Sequence, residues 1–177
     1  WELLSAFFEF NKDIRRVIYT TNIIENFLYI TEKLFPSRII FLSSAGSLYP
    51  QNIKSYKFSE TDIPLPKSSY GRQKLLSEEF LTNFANAHHQ NLTLLRISSA
   101  YGFDRRFSDQ GVINKWLHLA INEKKIGLYN SIDSQINFIS FDQISTAIIL
   151  CINNDLNGIY NIGTEISISL EEVIEEI

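Results

Sequence analysis

The chain has 177 residues, 45% of them hydrophobic and 20% charged, which is enough to bury the core of one domain or a domain and a half. Its formal net charge is -4 and its lysines and arginines are scattered, so it lacks the basic stripe of a nucleic-acid-binding protein. With a single cysteine, Cys151, no apolar run long enough to cross a bilayer and no signal-peptide pattern at its amino end, a cytoplasmic protein without a membrane partner is expected.

Residues Asp13 to Lys33 place apolar side chains at helical spacing until Pro36 stops them. Arg38 to Leu42 is a short β-branched and aromatic run, the pattern of a strand buried on both faces. A loop of about two dozen residues follows, a length that is usually functional inside a compact domain. From Tyr70 the pattern is helical again, with Leu76, Phe80 and Phe84 at i, i+4 and i+8, and Leu92 to Ile97 is the next strand. Further expected elements are a helix at Val112 to Asn122, strands near Ile126 to Tyr129 and Ile136 to Ile139, a helix at Asp142 to Ile152 and a strand at Gly158 to Ile162. A last helix starts at the capping box Ser169-Leu170-Glu171-Glu172. This alternation predicts an α/β fold with a doubly wound parallel sheet.

The chemistry concentrates around Tyr70. Tyr70 and Lys74 stand at i and i+4, which places a phenol and an ammonium on one helix face. A nearby positive charge favours the phenolate and lets a tyrosine act as a base near neutral pH. Hydroxyls in Ser43-Ser44-Ala45-Gly46-Ser47 lie at the carboxyl end of the first predicted strand, where open α/β sheets place their ligands. The adjacent pair His88-His89 and the separate His118 have no carboxylate or thiol to complete a metal site, so no metal is expected.

Several ordered motifs resemble the extended short-chain dehydrogenase/reductase family, in particular its NAD-dependent sugar-nucleotide epimerases and dehydratases. They are the serine-rich strand end with its tyrosine, Ser43 to Tyr49; the S-x-Y-G-x-x-K segment, Ser68 to Lys74; Leu95-Arg96 through Tyr101-Gly102; Ile136 through Asp142; and Tyr160-Asn161-Ile162-Gly163. Asn22 through Leu28 resembles an upstream family helix. The resemblance implies a truncated Rossmann-like sheet in residues 1–102 carrying the Tyr/Lys pair. It also implies a smaller, mainly substrate-binding region in residues 103–177, with 136–156 returning to the Rossmann part. Tyr70 would exchange a proton with a sugar hydroxyl, and Lys74 would hold the nicotinamide ribose and depress the Tyr70 pKa. Ser44 or Ser47 would orient the reacting hydroxyl. Ser43 and Asn22 would join Tyr70 and Lys74 in binding NAD, and Ser98, Ser99, Arg105 and Arg106 would contact a nucleotide-sugar substrate. A homodimer through the helices near Ile14 to Leu34 and Tyr70 to Ala87 is implied as well.

The chain departs from the family pattern in places. Ala45 stands at the usual catalytic hydroxyl position, Ser99 replaces an asparagine, and Ile136 replaces an arginine that binds diphosphate. Dehydratases carry an acidic pair where this chain has Ala45-Gly46, which favours 4-epimerisation over 4,6-dehydration, with reduction as a further alternative. No G-x-G-x-x-G occurs among the seven glycines. Roughly two βαβ units, on the order of 70 residues, are therefore expected ahead of Trp1 to carry the pyrophosphate turn. From a different functional class, a chain without that segment could serve as a non-catalytic binding or oligomerisation module.

Overall fold

The computed structural model describes residues 37–50, 57–102, 111–128 and 131–177. The helix expected at Asp13 to Lys33 lies outside them. Three parallel strands form the main sheet in the order β1 (Arg38–Ser44), β2 (Asn91–Ile97) and β6 (Gly158–Ile162). Between β1 and β2 run a one-turn helix, α1 (Ala45–Leu48), and the long helix α2 (Ser69–His88). Between β2 and β6 come β3 (Ser99–Tyr101), α3 (Val112–Ile121), β4 (Gln135–Ile136), β5 (Phe138–Ser140) and α4 (Phe141–Asn153). The chain ends with β7 (Ile168–Ser169) and α5 (Leu170–Glu175).

The side-chain alternation of the strands divides the sheet into two faces. Leu92 and Leu94, with Ile39 and Phe41, pack under Leu81 and Ala85 of α2. Leu95 and Ile97, with Ile40, Leu42 and Ile162, pack against Ile144, Ile148 and Cys151 of α4. Helices therefore cover both faces, which is the doubly wound arrangement expected. Every residue of β2 after Asn91 is buried, as befits the middle strand. Helix α4 is held at both ends. Ser140 and Gln143 close a reciprocal capping box at its start, and Arg38 Nη1 donates to the Cys151 and Ile152 carbonyls at its end.

A second small core lies beside the sheet, where Trp116 of α3 meets Phe138, Leu170 and Val173. It is framed by a parallel β3–β5 pair and an antiparallel β4–β7 pair. Three expectations are corrected. The strand foreseen near 136–139 is two short strands, β4 and β5, in different sheets, separated by Asn137, whose side chain is committed to the 164–166 loop. Residues 124–128 form no strand and pair with none among the described residues, Gly127 lying in their midst; Tyr129, the end of the expected strand, lies outside them. Residues 158–162 belong to the main sheet beside β2, not to the substrate-binding region in which residues 157–177 were expected.

The Leu76, Phe80 and Phe84 repeat that marks the helix does not mark its buried face: Leu76 is 64% exposed and Phe80 36%. The inward stripe is Gly71, Ser77, Glu78, Leu81 and Ala85, mostly small or polar residues. Small side chains let the helix approach the sheet closely, so hydrophobicity alone points to the wrong side. Among the described residues no helix is long and apolar enough to cross a membrane.

Candidate functional site

The carboxyl end of β1 and the amino end of α2 meet at one place. Ser68 caps α2 by accepting from the Gly71 amide at 3.0 Å, which fixes where the first turn begins and hence where Tyr70 stands. Gly71 then presses the helix onto α1: a β-carbon there would lie 2.9 Å from Pro66 Cβ and closer still to the Ser47 carbonyl oxygen. No other residue type allows that approach. Tyr70 is thereby held next to the Ser44–Ser47 turn.

Lys74 lies one turn further along α2. Its ammonium donates to the Leu42 carbonyl at 2.8 Å and sits 4.7 Å from the centre of the Phe41 ring and 5.7 Å from that of Tyr70. Burial pushes the Lys74 pKa below its ordinary value, and the Glu78 charge opposes part of that fall. Burial pushes the Tyr70 pKa above its ordinary value although the ring is 55% exposed, so the expected depression by Lys74 is not seen. The physical reason is that burial dominates at the phenol, while the ammonium donates to the strand carbonyl and stays 5.7 Å from the ring centre.

The serines divide by environment. Ser47 Oγ donates to the Ser44 carbonyl at 3.3 Å, closing the α1 turn on itself. The Ser43 and Ser98 hydroxyls are buried without a hydrogen-bond partner, at the carboxyl ends of neighbouring strands β1 and β2. A buried, unpaired hydroxyl is costly unless something completes it. Ser99 lies apart from these, in the wall of a pocket of about 240 Å³ that Val112, Trp116, Ile136 and Leu170 also line. That wall is mostly apolar, and Ile136 contributes to it. Asn22, Arg105 and Arg106 lie outside the described residues.

The strongest electrostatic feature was not singled out by the motifs. Arg96 and Glu78 form an ion pair with both side chains 4% exposed. Arg96 Nε donates to Glu78 Oε1 at 3.1 Å and Oε2 at 3.2 Å, and Nη2 donates to Oε2 at 2.7 Å. Burial works against the guanidinium charge, but the hydrogen bonds and charge of Glu78 outweigh it and leave the Arg96 pKa above its ordinary value. Arg96 Nη1 also donates to the Tyr49 hydroxyl at 2.7 Å. That hydroxyl reaches the Ser59 carbonyl at 3.0 Å and Asn161 Oδ1 at 3.1 Å, while the Tyr49 ring stacks on Phe58 at 4.8 Å. The Asn161 amide nitrogen Nδ2 donates to the Phe58 carbonyl. One polar chain thus ties α2, β2, β6 and the loop at 57–62 together. Two signals in the sequence pointed to it: an arginine inside the apolar run Leu92 to Ile97, and a glutamate four residues after Lys74.

Residues 10–163 match the family model described as the NAD dependent epimerase/dehydratase family. The chain is 34% identical over 142 residues to a dTDP-4-dehydro-6-deoxyglucose reductase of Escherichia coli, an alignment covering 79% of this chain and 44% of that protein. It is 26% identical over 162 residues to a putative UDP-glucose 4-epimerase of Methanocaldococcus jannaschii, covering 90% of this chain and 50% of the relative. In fold it is similar to the Thermus thermophilus UDP-glucose 4-epimerase solved with NAD. The TM-score is 0.75 at 21% identity, over 85% of this chain and 50% of that one. The chain thus spans half or less of the length of these proteins.

Proposed function

The chain belongs to the NAD dependent epimerase/dehydratase family, and from that premise we propose that it carries the proton-transfer half of an enzyme acting with NAD on a nucleotide-activated sugar, by 4-epimerisation through a keto intermediate. The observation that carries this reading is the placement of Tyr70 and Lys74 on one face of α2, with Lys74 anchored to β1 at Leu42. Parallel α/β sheets bind their ligands at that end of the strands.

The residues fit the reactive end of NAD. Lys74 offers an ammonium to ribose hydroxyls, and the unpaired Ser43 hydroxyl lies at the adjoining strand end. When bound, NAD would accept a hydride from the sugar carbon and return it. Tyr70 Oη exchanges the proton of the sugar hydroxyl at the same carbon. Ser44 or Ser47 orients that hydroxyl, and Ser98 and Ser99, with Arg105 and Arg106, contact the rest of the substrate. Cytoplasmic location and a homodimer that covers the exposed Leu76 and Phe80 face of α2 complete the proposal.

A second reading, reduction of a keto sugar, is favoured by one observation. The 34% identical relative is a reductase by name.

The deciding experiment is titration of the chain with NAD, followed by thermal stabilisation, with Tyr70→Phe and Lys74→Ala beside it. Saturable binding weakened by Lys74→Ala supports the reading. A folded chain that shows no binding removes the cofactor from this chain's own repertoire and leaves a binding or oligomerisation role. Incubation of a binding-competent protein with nucleotide sugars and with their 4-keto forms then separates epimerisation from reduction.

A further inference from the structure

A lysine and a glutamate four residues apart on a helix are placed to pair, and α2 carries such a couple in Lys74 and Glu78. Among the described residues they form no ion pair. Lys74 Nζ turns to the Leu42 carbonyl at 2.8 Å, and both Glu78 oxygens are taken by Arg96 through three hydrogen bonds. Arg96 is in turn aimed by the Tyr49 hydroxyl at 2.7 Å from Nη1. Arginine suits this task because its planar fork engages both carboxylate oxygens at once, which an ammonium cannot do.

We propose that Arg96 is a positioning residue whose task is to hold the Glu78 carboxylate away from Lys74, keeping the Lys74 ammonium available to Tyr70 and to ligand oxygens. The inference rests on the reading of Tyr70 and Lys74 as the reacting pair. Its electrostatic logic is local. An unengaged carboxylate one turn from Lys74 would pair with it, cancel its charge and leave the phenol with less reason to ionise. Among the described residues the charged and titratable groups around Lys74 are few. Helix α2 offers Tyr70 and Glu78, β2 offers Arg96, and the turn after α1 offers Tyr49 through Arg96. Strand β1 offers only the Leu42 carbonyl and the Phe41 ring, because Arg38 lies at its far end on the α4 carbonyls.

The test uses the 177-residue chain labelled with carbon-13 at lysine Cε and tyrosine Cζ. Both midpoints are followed by NMR and assigned with Lys74→Arg and Tyr70→Phe. In Arg96→Met the Lys74 and Tyr70 midpoints should both rise, by about one pH unit. Arg96→Lys, which keeps the charge but loses the fork, should move them the same way by less. The double variant Arg96→Met/Glu78→Gln should return both midpoints towards those of the unaltered chain. Should Arg96→Met fail to fold, the other two carry the test, since a neutral pair of similar volume is tolerated where a lone buried charge is not. Midpoints that stay still in a folded Arg96→Met or Arg96→Lys chain, or a double variant as displaced as the single, would overturn the proposal. None of these readings needs NAD, so failure of the chain to bind NAD would reject the cofactor reading and leave this one standing on its own result.

Discussion

Gly71 faces the backbone of Ser47 with no room for a side chain between them: a β-carbon at 71 would press into the Ser47 carbonyl and lie 2.9 Å from Pro66 Cβ. Gly71→Ala must therefore push the first turn of α2, and Tyr70 with it, away from α1. The expected cost is about 1–3 kcal/mol of stability, as for an overpacked core, read by urea unfolding. Gly46→Ala in α1 is the matched control, because a β-carbon there meets nothing within 4 Å among the described residues. It should leave the unfolding midpoint unchanged or slightly raised.

Glu78→Ala should be among the most damaging single changes in the chain. It strips a guanidinium that is 4% exposed of its carboxylate and leaves an uncompensated buried charge, which costs about 3–5 kcal/mol. Chemical denaturation should show this as a large fall in midpoint. A change below about 1 kcal/mol would mean that water reaches the pair.

Lys74 and Tyr70 should bend the stability curve in opposite senses at alkaline pH. The folded pKa of Lys74 is depressed, so its charge is disfavoured in the native state at neutral pH, and that penalty lifts as pH rises from the folded towards the unfolded value. The folded pKa of Tyr70 is raised, so stability associated with its protonated form persists below the unfolded value and is lost as pH rises through the folded one. Relative to Lys74→Met, the unaltered chain should gain stability across the alkaline window below the ordinary lysine value. Relative to Tyr70→Phe it should lose stability above the ordinary tyrosine value. Thermal unfolding at a series of pH values measures both slopes.

Ser169→Ala should loosen α5 and the small core it closes. Ser169 Oγ accepts from the Glu172 amide at 3.1 Å, and Glu172 reaches back to the Ser169 amide at 2.7 Å. Loss of such a cap costs about 1 kcal/mol. The hydrogen bonds from Ser169 depress the Glu172 pKa, so the contribution is present above the unfolded carboxylate value and is lost as pH falls through the folded one. Exchange protection in α5, corrected for the intrinsic pH dependence of amide exchange, should accordingly fall on acidification, and Ser169→Ala should weaken that dependence without abolishing it, because the residue 169 amide still donates to Glu172.

Much of this architecture was legible because single residues announced it. The apolar runs beginning at Arg38 and Leu92 are strands, the Ser169 capping box opens a helix, and Tyr70 and Lys74 share a helix face. What escaped notice did so for physical reasons. The inward face of α2 is built from Gly71, Ser77, Glu78, Leu81 and Ala85, with Leu81 its one large apolar side chain, so hydrophobic periodicity does not mark it and the regular repeat of Leu76 and Phe80 lies on the outer side. The ion pair of Glu78 and Arg96 joins residues 18 positions apart, so the arginine in an apolar strand and the glutamate after Lys74 are each visible in the sequence but their pairing is not. Lys74 was expected to lower the Tyr70 pKa, but i,i+4 spacing does not specify which oxygen an ammonium will choose, and Lys74 chose the Leu42 carbonyl. The split of 135–140 into strands of two different sheets follows from the side chain of Asn137, whose partners are 27 and 29 residues away.

The Tyr49 hydroxyl accepts from Arg96 and has two acceptors within reach, the Ser59 carbonyl and Asn161 Oδ1. A phenol owns one hydrogen, so only one of these acceptors is served at any instant. The loop and β6 therefore compete for a single proton, and rotation of the hydroxyl about its C–O bond would hand it to one at the expense of the other.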